Sequence, residues 1–153
     1  MSLVAIVALD SLLADISDSL DRGTIDLATA ARRLVQFVRE YMRLDEVGLW
    51  VFDGEGDKRT LKQIAGCPDP GAGASTVMRC LELHAEHPPL WAAIRVNATT
   101  IAMLGGTRRD DFRAWSPREA ASLQKIATRV AGSYGRLSRR RRTSTTHRTD
   151  NGP

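Results

Sequence analysis

The run Trp115-Ser116-Pro117-Arg118-Glu119, leading into Ala120, Leu123, Ala127, Val130, Tyr134 and Leu137, constrains the fold of this chain more than any other segment. Ser116 suits a helix N-cap, Pro117 suits the first helical position, and Glu119 can reach back to complete a capping box. Trp115, just before the cap, is placed to staple the helix entry. The apolar residues that follow step by three and four, as in a seam packed against other helices. A long C-terminal helix with a defined start is therefore expected.

The N-terminal half carries a similar pattern. Ile6, Leu9, Leu13, Ile16 and Leu20 mark a first amphipathic helix that stops near Asp21-Arg22-Gly23. A second helix begins at Asp26, a capping residue, and buries Leu27, Ala31, Leu34, Val38 and Tyr41. Glu46 to Asp53 is rich in β-branched and aromatic residues and ends in the turn Asp53-Gly54-Glu55-Gly56, which predicts a strand and a hairpin. Thr60 to Ala65 returns as its partner, and the Pro- and Gly-rich stretch from Gly66 to Ala74 is a loop. Ser75 to His87 is a short helix closed by Pro88-Pro89. Leu90 to Val96 and Thr99 to Leu104 form a second hairpin about Asn97-Ala98, and Gly105-Gly106 opens a polar loop. The order α-α-β-β-α-β-β-α describes an α+β antiparallel sheet backed by N- and C-terminal helices.

Length and charge narrow the function. A chain of 153 residues is one domain with a core that needs neither metal nor disulfide. Two cysteines, Cys67 and Cys80, point to free thiols in a reducing compartment. Leu3 to Leu9 is too short, and Asp10 and Asp15 too near, for a signal peptide or a membrane span, so the expected location is the cytoplasm. Residues 136–153 hold six arginines against one acid, Asp150; removing their +5 from the chain's +4 leaves the first 135 residues near −1. The expected layout is thus a domain over 1–138 and a basic, disordered tail over 139–153. Nucleic acid or an acidic membrane surface could be met only through Arg139, Arg140, Arg141 and Arg142.

The segments EVGLWVFDGEG, LWAAIRVNATTIAMLGG and FRAWSPREAASLQKIATRVAGSYGRL, taken in order, resemble the GAF domain of bacterial signalling proteins, a PAS-like fold, over roughly residues 20–138. The resemblance implies a sensory or regulatory domain. It would bind a small ligand such as a cyclic nucleotide, tetrapyrrole, iron, 2-oxo acid or nitrate, or it would only dimerise, and it would regulate an attached or separate output module. The family usually inserts a strand and a further helix between the two hairpins as a lid over its pocket, where this chain has about 24 residues. The Asn-Lys-Phe-Asp-Glu signature associated with cyclic nucleotides is absent. A reduced pocket would be formed by Trp50, Phe52, Cys67, Met78 and Trp91, with the ligand unspecified.

A homodimer is expected through Ile6, Leu9, Leu13 and Ile16 of the first helix and Leu123, Val130, Tyr134 and Leu137 of the last, completing a four-helix bundle. With no output domain in these residues, the action would fall on a signalling partner. Enzymatic readings are weaker. Cys80, His84 and His87 fall at i, i+4 and i+7, with Cys67 upstream, but no tight metal knuckle is present, so no metal site is assigned. The alternative function is a small redox enzyme of the free methionine sulfoxide reductase type, using Cys67 and Cys80 as attacking and resolving thiols. No glycine-rich phosphate loop or Gly-x-Ser-x-Gly elbow is found, and no catalytic residue is assigned.

Overall fold

The computed structural model describes residues 1–54, 59–67, 89–108 and 115–149, with backbone alone for 138–149. Helices α1 (Leu3–Asp21) and α2 (Leu27–Met42) are followed by strands β1 (Glu46–Asp53), β2 (Thr60–Cys67), β3 (Leu90–Val96) and β4 (Thr99–Thr107) and by helix α3 (Pro117–Thr149). The expected helix over 75–87 lies outside the described residues.

The helix ends follow their capping chemistry. Ser2 Oγ accepts from Ala5 N at 3.2 Å, and Asp26 Oδ1 accepts from Thr29 N at 2.8 Å. The same Thr29 contacts hold the Asp26 carboxyl below its ordinary value of 3.8. At the start of α3 the capping box closes in both directions: Glu119 N donates to Ser116 Oγ at 3.1 Å, and Ser116 N donates to Glu119 Oε1 at 3.0 Å. Arg108 pairs with the same Glu119 and stacks over Trp115, 4.6 Å from its ring centre. Helix α2 stops where Arg43 turns left-handed (φ 54°) and returns its N–H to Arg39 O.

The four strands are antiparallel in the order β2-β1-β4-β3, so β2 and β3 are the edges. Asn97 and Ala98, both at positive φ (52° and 64°), form the tight turn between β3 and β4. Strand β4 extends beyond Leu104: Gly105, Gly106 and Thr107 pair with β1, where a polar loop was expected.

Helix α2 covers β1 and β2, α3 covers β3, and α1 lies against both helices. Asp10 pairs with Arg129 at 2.7 Å and Ser17 meets Ser133 at 3.1 Å, so α1 and α3 run in the same direction. Arg33 ties α2 to Asp15 of α1 at 2.6 Å. Beneath this layer sits the core: Leu9 and Leu13 of α1, Leu34, Val35 and Val38 of α2, and Leu123, Ile126 and Ala127 of α3 close over Val47, Leu49, Ile94 and Leu104. The backbone of α3 stays helical to Thr149, through residues that the sequence assigns to a disordered tail; arginine is a good helix former and its charge favours a helix C-terminus. Among the described residues no helix is long and apolar enough to cross a membrane.

The stripes expected at a dimer interface are largely consumed within the chain. Leu9 and Leu123 are fully buried, and Leu13, Ile16 and Leu137 nearly so, because α1 and α3 pack on each other and on the sheet. Ile6 and Val130 are half-buried, and Tyr134 is exposed. These helices instead expose other residues. Leu3, Val4 and Val7 are 76%, 80% and 57% exposed, on the side of α1 turned away from Ala5, Leu9, Leu13 and Ile16.

Candidate functional site

Strand β1 is buried from Glu46 to Trp50 without alternation, so both faces of the sheet are covered at its centre. Val47 and Leu49 belong to the core under the helices. The residues between them, Glu46, Gly48 and Trp50, lie on the other face.

Register lays that far face out in rows. Gly66 of β2, Gly48 of β1, Gly105 of β4 and Trp91 of β3 form one row across the whole sheet. Gln63, Trp50, Met103 and Ala93 form the next. Three glycines in one row leave the sheet bare, and the indoles of the adjoining positions lie down on it. A Cβ built on Gly48 would stand 2.1 Å from the Trp50 ring, and one on Gly105 would stand 2.6 Å from the Trp91 ring. The glycines are there for close approach rather than for backbone freedom. The two indoles meet at 4.9 Å between ring centres, inclined by 59°. A tilted aromatic contact of this kind contributes roughly 0.5–1.5 kcal/mol beyond the area it buries.

The polar atoms of this face are left wanting. Trp50 is 0% exposed, the largest fully buried side chain described. Its Nε1, the Nε1 of Trp91 and the hydroxyl of Thr107 are buried with no hydrogen-bond partner among the described residues. Indole nitrogen only donates, and a buried donor without an acceptor costs on the order of 1–3 kcal/mol. Two such donors on neighbouring rings are a substantial fraction of a stability that is typically about 5–15 kcal/mol. Thr107 pairs with Glu46 one row beyond the glycines, and both are buried.

Trp50, Trp91 and Phe52 share the far face. Phe52 sits two positions beyond Trp50, under the guanidinium of Arg59 at 4.3 Å, and Arg59 also donates to Thr100 O at 2.7 Å. Cys67 is elsewhere. It pairs with Val47, packs against the helix-side core, and accepts from Arg39 Nη1 of α2 at 3.7 Å. Its grouping with the tryptophans is corrected by register: an odd offset along β2 puts it on the other face of the sheet. Met78, Cys80, His84 and His87 lie outside the described residues. Gly48, Gly105 and Thr107 were missed by sequence reasoning. The available signal was a glycine within a strand pattern at position 48, which marks a close approach.

No protein-family model matches the sequence, and no curated protein matches it. Solved structures do. The GAF domain of the Acinetobacter phosphoenolpyruvate-protein phosphotransferase matches at a TM-score of 0.59 and 12% identity over 100% of this chain and 99% of that one. The GAF domain of a sensor histidine kinase from Pseudomonas syringae pv. tomato matches at a TM-score of 0.56 and 17% identity, over 93% and 94% of the two chains. A methyl-accepting chemotaxis protein fragment matches at 0.57 and 13% identity, over 80% and 96%. At these identities the likeness is one of fold, and the fold of this chain is GAF-like.

Proposed function

We propose that this GAF-like chain is a non-enzymatic sensory or regulatory domain of bacterial signal transduction, which holds a small ligand on the tryptophan face of its sheet and pairs with a second copy through its helical layer. The observation that carries the reading is the indole pair with its two buried, unanswered N–H groups. Sites that select small molecules combine apolar walls with a few buried polar groups awaiting a partner, and this face has both. Among the solved structures named above, the methyl-accepting chemotaxis protein and the sensor histidine kinase support the same class of role.

The pairing half rests on Leu3, Val4 and Val7 of α1. They form an exposed apolar strip beside the helix layer, and packing two such strips about a two-fold axis would remove them from water. Helix α1 also contacts α3, so a change in pairing would reach the C-terminal helix and a signalling partner acting there.

Native mass spectrometry of the protein as purified from cells tests both halves. The expected result is the mass of two chains carrying small-molecule adducts, with Val4→Glu shifting the population to single chains. Bare chains would sink the ligand half. A wild-type monomer at micromolar concentration would sink the pairing half.

A further inference from the structure

We infer that the tryptophan face takes an uncharged ligand that presents carbonyl oxygen to the indole N–H groups of Trp50 and Trp91 and to the hydroxyl of Thr107. The inference rests on the reading that this face holds a ligand, and it names the ligand's chemistry.

Among the described residues, the buried polar atoms without a partner include two obligate donors and one hydroxyl. A ligand that answers them must bring acceptors. A cation has none to give and would leave both indole nitrogens unpaired. The choice then lies between an anion and a neutral acceptor. Trp50 is fully buried and Thr107 nearly so, in surroundings where a charge is tolerated only if it is paired. The ionisable side chain buried beside Thr107 is Glu46, an acid, whose position a bound carboxylate would have to share. The basic groups described nearby are turned to other work or to water: Arg108, next to Thr107, pairs with Glu119 and lies over Trp115, Arg59 lies over Phe52 and donates to Thr100 O, Arg39 is on the helix side with Cys67, and Arg95 is exposed. A carbonyl supplies the same lone pairs as a carboxylate without the charge. The indole planes, laid on a glycine row, add flat apolar walls suited to a planar amide or lactam group.

Three small fragments of different charge separate the possibilities: acetamide, acetate and ethylammonium. Each is titrated into the whole 15N-labelled protein while the indole N–H resonances are followed, assigned with Trp50→Phe, Trp91→Phe and Trp115→Phe. Acetamide is expected to move the Trp50 and Trp91 signals downfield together and saturably, leaving Trp115 in place. Acetate is expected to bind at least tenfold more weakly, and ethylammonium to leave all three signals unmoved. Thr107→Val keeps the shape of a buried side chain that has no partner to lose, and should weaken acetamide about fivefold while the rest of the spectrum is retained. Tighter binding of acetate than acetamide overturns the inference, as does the absence of any indole shift.

Native mass spectrometry tells that failure from failure of the underlying reading. If the purified protein carries a small molecule whose removal leaves both indole signals unchanged, the sensory domain stands and the carbonyl ligand falls. If no molecule is carried and no fragment moves the indoles, both fall.

Discussion

The two faces of the sheet are built from the same four strands and follow opposite rules. Toward the helices, Val47, Leu49, Ala92, Ile94, Ala102 and Leu104 pack with apolar side chains from three helices in one hydrophobic cluster. Away from them, a row of three glycines ends at Trp91 and adjoins the row of Trp50, and buried donors lack acceptors. The period of two along a strand lets one segment serve both ends: residues 47 and 49 stabilise the domain while 48 and 50 prepare a surface whose polar atoms await a partner. A face selected only for stability would have no reason to keep unanswered indole nitrogens.

That contrast can be broken from either side. Leu123→Ala opens a cavity in the helix-side core and should cost about 3–4 kcal/mol in urea unfolding, with the indole environment of the folded protein preserved. Gly48→Ala adds one methyl group where a Trp50 ring atom stands at 2.1 Å, and should cost about 2–3 kcal/mol while red-shifting the tryptophan emission as the indole is displaced. If Gly48→Ala is silent in both readouts, the far face is not packed as described and the contrast collapses. Between the faces lies the β3–β4 turn, where Ala98 is held at φ 64°; Ala98→Gly should raise stability by about 1 kcal/mol, measured by thermal unfolding, and change neither face.

The smallest expected effect concerns pH. Because folding lowers the Asp26 carboxyl below 3.8, its contribution is fully present above that value and is lost as the pH falls through the lower folded one. Asp26→Asn, which can still cap the helix, should flatten that acid limb of the stability curve and leave stability near neutral pH almost unaltered.

What the sequence made legible is what short-range chemistry decides. The capping box at Ser116 and Glu119, the cap at Asp26, the step of three and four along α1, and the turn at Asn97-Ala98 each depend on residues a few positions apart. What it left hidden depends on register. Nothing local says that Cys67 falls opposite Val47 or that Gly48 meets both Gly66 and Gly105, and so the sequence alone groups the thiol with the tryptophans and does not disclose the glycine row. Periodicity likewise identified a stripe on α1 but not what would cover it. Leu9 and Leu13 are covered by their own chain, whereas Leu3, Val4 and Val7 are left in water.

Helix α3 runs without a break from its packing against β3 to Thr149. Among the residues whose side chains are described its last buried one is Leu137, and the helical backbone from there to Thr149 is about 18 Å long at 1.5 Å per residue. A rod anchored at one end acts as a pointer. A tilt of about 10° where it leaves the domain displaces its tip by about 3 Å, several times the atomic shift needed to start it. Small repacking beneath α3 would therefore be read out most strongly toward Thr149.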